Sequence, residues 1–203
     1  MRKFERLYRE LLLSNLNRFS IVRQKDLASK CHLSLGLVNK TVKKLEKAMA
    51  VEATRKGVRI LSPARLLNLW AAERNVGGDV WQSFRLDPLS EVEQGLPRDT
   101  LITAFSAWSL LSGRRLAEYY RLYFYVTNKE SFNFWLSFRK EKIRKTNPNV
   151  FALYVDDEHL LQSSEKGVVC VPQIYVDTYS VNGPEAPPFL RDIIQTFPDL
   201  SLW

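Results

Sequence analysis

The sequence predicts an α+β protein with two domains, a basic domain over residues 1–75 and an α/β-type domain with a mixed sheet over residues 76–203. Charge is the first observation, because residues 1–75 contain 17 Lys/Arg and 6 Asp/Glu, whereas residues 76–203 contain 13 and 16. Helical periodicity also alternates with short strand-like runs along the chain. Finally, residues 75–78 (NVGG) lie where the net charge changes sign, and two adjacent glycines favour a linker.

Two amphipathic helices are predicted at the start of the chain. Apolar side chains recur at helical spacing over residues 4–17, and residues 24–31 have one apolar face. His32 and Leu33 interrupt this pattern, and Ser34 is a suitable N-cap for a following helix. The sequence therefore predicts a tight turn between a second and a third helix.

The third predicted helix, Leu35–Lys47, has an apolar face and a basic face. Val38, Val42 and Leu45 recur at the i, i+4, i+7 spacing that buries one side of a helix. The polar and small positions are Gly36, Asn39, Lys40, Lys43, Lys44 and Lys47. Such a helix can pack on its neighbours while it presents basic side chains to a polyanion.

A β-hairpin and a fourth helix follow. The strand-like residues 51–53 and 58–61 flank the turn 54–57 (TRKG), in which Gly57 can adopt a positive φ. Ser62 is predicted to cap the next helix, with Pro63 at its first position, where a missing N–H costs nothing. The order helix, helix, tight turn, helix, hairpin, helix is that of a winged helix-turn-helix.

Residues 25–51, KDLASKCHLSLGLVNKTVKKLEKAMAV, resemble the winged-helix pattern of transcriptional regulators. Ser34 and the apolar triad fall at the family's usual positions, whereas His32 fills a turn position that often carries glycine. The resemblance implies binding to double-stranded DNA, with a homodimer if the operator is palindromic. A winged helix that contacts only proteins is the alternative, which the four lysines of the third helix disfavour.

The resemblance also implies roles for particular residues. Asn39 and Lys40 are the implied base-edge contacts, and Gly36 allows the helix to approach DNA closely. The implied phosphate contacts are Ser34, Lys43, Lys44, Arg55, Lys56 and, as an extension of the hairpin strip, Arg59.

The second domain is predicted to alternate strands and helices around one mixed sheet. The predicted strands cover residues 80–86, 122–126, 151–155 and 168–171, and the predicted helices cover residues 100–111, 131–142, 173–179 and 185–197. The Thr-Ala-x-Ser pattern at 103–106 and residues 171–177 (VPQIYVD) resemble the C-terminal half of AbiEi-type antitoxins and related regulators. That resemblance implies repression of the protein's own operon and a second domain that counters or senses a partner toxin.

A nucleotidyltransferase-like enzyme, targeted by the winged helix, is the alternative function. Such enzymes carry Gly-Ser followed by two carboxylates on a strand that hold metal ions. Here the order is Ser112-Gly113, and the following strand, Leu122–Val126, contains no carboxylate. The acidic residues Asp156 and Asp157 are interpreted as a solvated turn rather than a metal site. No catalytic residue, metal ligand or cofactor is therefore predicted.

Residues 139–145 (RKEKIRK) form the one basic cluster of the acidic half. The cluster is interpreted as the solvated end of a helix, with a second contact to the DNA backbone as the alternative. Four aromatic residues of the second domain at helical spacings are predicted to lie in the core rather than to form a platform for base stacking; they are Trp108, Phe132, Trp135 and Phe138.

The cysteine and hydropathy patterns predict the environment in which the protein works. Cys31 and Cys170 form no metal-ligand or disulfide pattern, so a reducing, cytoplasmic environment is expected. No apolar run reaches the length of a membrane helix, so the sequence predicts a soluble, uncleaved protein without membrane contacts.

Overall fold

The structure is a computed structural model that describes residues 2–18, 21–155 and 158–201. It is a mixed α/β chain that divides into two compact units, and the chain passes from the first to the second between Arg74 and Asn75. Unit 1 consists of Met1–Arg74 with Arg191–Trp203, and unit 2 consists of Asn75–Leu190. Among the described residues, no helix is both long enough and apolar enough to cross a membrane.

Unit 1 combines helices with a small antiparallel sheet. Its elements are α1 (Glu5–Leu16), β1 (Ile21–Val22), α2 (Gln24–Lys30), α3 (Leu35–Lys47), β2 (Val51–Thr54), β3 (Gly57–Ile60) and α4 (Pro63–Glu73). The strands lie in the order β1-β3-β2, with Ile21 opposite Arg59 and Val51 opposite Ile60. The helices and the hairpin were predicted, whereas β1 is too short to show an alternating pattern and was not.

The core of unit 1 is apolar but contains one buried ionic cluster. Trp70 of α4 donates from Nε1 to Glu5 Oε2 of α1 at 3.0 Å. The same carboxylate lies 3.6 Å from Arg74 Nη1, with both side chains almost fully buried. The guanidinium of Arg9, also buried, lies 6.0 Å from the Trp70 ring centroid. Because a buried charge must be paired, this cluster fixes how α1 and α4 pack.

The segment 191–203 groups with unit 1, although the predicted boundary near residue 76 places it in the second domain. A 3-10 helix at Pro198–Leu200 contacts α1 and α4, and Leu200 is completely buried. Asn15 Nδ2 donates to the Asp199 carbonyl at 3.1 Å. This docking joins residues far apart in sequence, which is why local pattern does not predict it.

Unit 2 is built on a mixed sheet. Its elements are a 3-10 helix (Gly77–Asp79), β4 (Val80–Phe84), α5 (Leu89–Gln94), β5 (Thr100–Thr103), α6 (Ala104–Ser112), β6 (Leu122–Val126), α7 (Lys129–Ser137), β7 (Val150–Tyr154), α8 (Glu158–Gln162), α9 (Val171–Val181) and α10 (Ala186–Thr196), which continues into unit 1. The strand order is β4-β7-β6-β5. β6 and β7 are parallel and the other pairs antiparallel, so the predicted mixed sheet is confirmed.

Three predictions for unit 2 are wrong in detail. The predicted helix 100–111 is a strand, β5, followed directly by α6, with Ala104 at φ +55° where the two meet. The predicted strand 168–171 is reduced to two isolated bridges at Val168, to Ile102 and to Glu165, because the apolar run continues into α9. The predicted helix 131–142 runs instead from Lys129 to Ser137, because Asn128 caps it two residues earlier through its side chain.

Candidate nucleic-acid interface

The turn between α2 and α3 has the local geometry that its residues predict. Ser34 Oγ accepts a hydrogen bond from the Leu37 N–H at 3.3 Å, so the predicted N-cap is confirmed. His32 adopts φ +51°, in the left-handed region that glycine occupies most easily. Histidine is among the residues enriched there, which explains how the turn forms without glycine.

Helix α3 has a buried apolar face and an exposed basic face, although the apolar Leu35 at its start is also exposed. Val38, Val42 and Leu45 are at most 1% exposed, as predicted. The exposed residues of the opposite side are Gly36, Asn39, Lys40, Lys43, Lys44 and Lys47. At 3.6 residues per turn, positions 36, 40, 43 and 47 form one stripe along the helix axis. From position 36 to position 47 this stripe is about 17 Å long, at a rise of about 1.5 Å per residue.

The lysines of α3 fall into two electrostatic groups. Lys40, Lys43 and Lys47 form no ion pair with any carboxylate in the described part of the chain. Lys44 instead pairs with Glu73 of α4, and its ammonium lies 5.3 Å from the Phe4 ring centroid. Lys44, a predicted phosphate contact, therefore differs from the other three lysines of α3: among the described residues, its charge already has an internal partner.

The local environment of Lys44 also changes its titration. Desolvation lowers the pKa of Lys44, but the hydrogen bond to Glu73 and the neighbouring Tyr8 outweigh it, so the net pKa is raised. Burial and the nearby Glu73 charge raise the pKa of Tyr8. Lys44 therefore remains an ammonium, and Tyr8 a neutral phenol, at physiological pH.

The hairpin turn is held by one side chain and one glycine. Thr54 Oγ1 donates to the Gly57 carbonyl at 2.9 Å and accepts from the N–H groups of Lys56 and Gly57, both at 3.2 Å. Gly57 has φ +149°, and a Cβ there would lie 2.5 Å from the Val22 carbonyl oxygen of β1. The turn presents Arg55 and Lys56, both exposed, at its tip.

Two acidic residues fix the hairpin relative to its surroundings. Glu46 of α3 accepts from the backbone N–H of Ala53 in β2 at 2.7 Å, which joins the edge strand to the helix. Glu52 pairs with Arg59 across the strands at 2.6 Å. Arg59, a predicted phosphate contact, therefore also has an internal partner. Arg55 and Lys56 form no such pair in the described residues.

A groove with a volume of about 1070 Å³ lies along α3, and most of the predicted site residues line it. Its walls are formed by Phe4, Tyr8, Leu35, Gly36, Leu37, Asn39, Lys40, Thr41, Lys43, Lys44 and Lys47. The contribution of Phe4 and Tyr8 was not predicted, because their periodicity is that of core residues. Ser34, Arg55, Lys56 and Arg59 do not line this groove.

The residues considered for enzymatic chemistry have structural roles where they are described. Ser112 Oγ donates to the Trp108 carbonyl at 2.8 Å, and Gly113 ends α6 at φ +68°, so this pair is a helix terminus. Asp156 and Asp157 lie outside the described residues. Within those residues, no group of three or more His, Cys, Asp or Glu side chains is placed to hold a metal ion. Cys31 and Cys170 are thiols.

The two stretches of unit 2 singled out by their resemblance meet in a buried network. Thr103 and Tyr125 both donate to Asp177 Oδ2 at 2.7 Å, and Gln173 Nε2 donates to Asp177 Oδ1 at 2.9 Å. All four side chains are fully buried. The network joins β5, β6 and α9, and nothing in the spacing of these residues predicts that Tyr125 takes part.

Comparison of the chain with protein-family models, with curated proteins and with solved structures finds no match of any of the three kinds. Its function must therefore be inferred from its own residues, and the cationic face of α3 is the feature with the most defined chemistry.

Proposed function

We propose that this protein is a sequence-specific regulator that binds double-stranded DNA through unit 1, acting as a winged helix-turn-helix. One observation carries the proposal. The capped helix α3 exposes Lys40, Lys43 and Lys47 on one stripe, without internal partners among the described residues, beside Asn39. Cations left unpaired on a rigid helix are available to an external polyanion.

The dimensions of α3 suit the major groove of DNA. An α-helix with side chains is about 10–12 Å in diameter, and the major groove is about 12 Å wide. Asn39 has the amide that recognises adenine, and Lys40 can donate to guanine O6 and N7. Gly36 has no atom within 4 Å of its Cβ position, so the start of the helix is open to close approach.

The hairpin serves as the wing in this proposal. Arg55 and Lys56 project from a turn fixed by Thr54, and Glu46 holds β2 against α3. The wing cations and the α3 stripe can then reach phosphates on either side of one groove segment. Lys44 and Arg59 contribute less, because Glu73 and Glu52 already neutralise them. Control of the protein's own operon and recognition of a toxin remain predictions.

The test is duplex binding by the full chain and by a Lys40→Ala/Lys43→Ala variant. Overlapping duplex fragments from upstream of its own gene are titrated at several salt concentrations. We expect native binding to weaken linearly with log salt, because phosphate contacts release counterions. Losing two lysines should reduce that slope by about 2 and weaken binding on the order of tenfold.

The matched control removes two cations elsewhere. Arg98 and Lys166 are exposed residues of unit 2, and an Arg98→Ala/Lys166→Ala variant changes the net charge by the same amount. It should bind duplex DNA like the native chain. Salt-insensitive binding, or equal losses in both variants, would overturn the proposed role of α3.

A further inference from the structure

An exposed pair of aromatic rings lies on unit 2, at the end of α7. Phe134 is 67% exposed and Phe138 is 71% exposed, although Phe138 is predicted to lie in the core. The two rings meet edge to face, with centroids 4.8 Å apart and planes at 89°. The neighbouring Phe132 and Trp135 are buried, so the exposed pair does not merely extend the core. Two phenyl rings held together in water indicate a surface that contacts something else.

The basic run 139–145 follows these rings directly and is fixed in place. Arg144 forms two backbone hydrogen bonds with Arg85, at 2.7 and 3.0 Å, just beyond the edge strand β4. Ile143 packs against the apolar core of unit 2. The Arg139 guanidinium lies 4.2 Å from the Trp135 ring centroid. The sequence predicts that this run is the solvated end of a helix, but α7 ends at Ser137 and the run is an anchored segment beyond it.

Charge sets this segment apart from the rest of its half of the chain. Residues 139–145 carry five Lys/Arg and one Asp/Glu, whereas the other residues of 76–203 carry eight and fifteen. The exposed cations form no ion pair with any carboxylate that the structure describes; they are Lys140, Lys142, Arg144 and Lys145. A cluster of unpaired cations on an otherwise acidic surface favours a polyanionic partner.

One of the two rings, Phe138, shares a cavity with two cations of the run, and Phe134 contacts that ring. Phe138, Arg139 and Lys142 line the same cavity of about 260 Å³, together with Asp87 and Glu91. The Asp87 carboxylate is already paired with Arg85 at 2.7 Å. Glu91, which forms no ion pair among the described residues, offsets part of the charge of Arg139 and Lys142. Lys140, Arg144 and Lys145 do not line this cavity, so the run as a whole keeps a net positive charge.

We infer that Phe134, Phe138 and the basic run 139–145 form a binding surface for single-stranded nucleic acid. Bases stack on the exposed rings, and the lysines pair with the phosphates between them, as in proteins that bind single strands without reading sequence. In a duplex the base faces are covered by neighbouring base pairs, so rings of this kind gain little from it. An acidic protein segment would satisfy the lysines but would not require aromatic rings. This inference does not rest on the proposed function of unit 1.

The test measures binding of the full chain to labelled oligouridylate and oligothymidylate by fluorescence anisotropy, with a duplex of equal length in parallel. A Phe134→Ala/Phe138→Ala variant should lose on the order of tenfold or more in single-strand affinity, and its duplex affinity should not change. A Lys140→Ala/Lys142→Ala variant should weaken single-strand binding and flatten its salt dependence. The Lys40→Ala/Lys43→Ala variant should bind single strands like the native chain, whatever its affinity for the duplex.

Two further variants separate stacking from general apolar contact. Phe134→Leu/Phe138→Leu keeps apolar side chains but removes the rings, so it should bind single strands as weakly as the alanine variant. Leu110→Ala/Tyr120→Ala removes two other exposed apolar side chains of unit 2, at 56% and 73% exposure, and should bind normally. Retained binding in the leucine variant, equal loss in this control, or no single-strand binding by the native chain would each overturn the inference. Circular dichroism of each variant checks that it is folded.

Discussion

The molecule presents two basic surfaces, one in each unit, and they differ in what lies between the cations. On α3 three lysines follow Gly36 along a straight stripe, with Asn39 beside them. On unit 2 the cations follow two exposed phenyl rings on an irregular segment. We therefore propose different partners for two surfaces of the same charge sign, because a regular polar stripe fits a groove whereas rings require accessible base faces.

The two surfaces also differ in their support. The α3 stripe is supported by its own buried face and by contacts within the first 73 residues. The unit 2 surface depends on the backbone pairing between Arg85 and Arg144, which are far apart in sequence. Variants that damage one support and spare the other therefore test whether the surfaces act separately.

The largest effect is expected from Gly57→Ala, which disturbs the contact between β3 and β1 in the unit that contains α3. The added Cβ would lie 2.5 Å from the Val22 carbonyl, and φ +149° is strained for any L side chain. We expect a loss of at least about 1–3 kcal/mol in the free energy of unfolding, measured by urea denaturation. Duplex affinity should fall with it. Unchanged stability would mean that the contact between β1 and β3 is looser than described.

A smaller effect of opposite sign is expected from Gly36→Ala. No atom lies within 4 Å of the Cβ position, so alanine should stabilise α3 by up to about 1 kcal/mol through its higher helix propensity. Duplex binding should nevertheless weaken, because the methyl group occupies the face proposed to approach DNA. Anisotropy titration and thermal unfolding of the same sample separate the two effects. Tighter duplex binding would contradict the proposed orientation of α3.

The smallest effect is expected from Lys44→Met. Its partly exposed ion pair with Glu73 should contribute about 0–1 kcal/mol, and duplex binding should change less than in Lys43→Met. Since the folded-state pKa of Lys44 is raised, this contribution is present below the ordinary lysine pKa and is lost as pH rises through the raised value. Urea unfolding at neutral and strongly alkaline pH measures it. A stability difference that grows with pH would contradict the pairing.

Much of unit 1 could be predicted because its elements are specified locally. The cap at Ser34, the periodicity of the buried triad of α3 and the hairpin turn held by Thr54 each depend on neighbours within one or two turns of chain. The misassigned part of unit 2 shows the opposite case. Residues 100–103 are apolar enough for helix or strand, and pairing with β6 selects the strand.

By itself, the sequence determined the separation of charge between the halves and the two faces of α3, because composition and periodicity are properties of adjacent residues. Only the tertiary structure decided which lysines are available. Lys44 differs from Lys43 by one position, yet Glu73, 29 residues away, pairs with it. Likewise, Phe138 resembles its buried neighbours in spacing but lies beyond the end of α7, in water. Ion pairing and burial depend on contacts between distant segments of the chain, and the local sequence pattern does not contain those contacts.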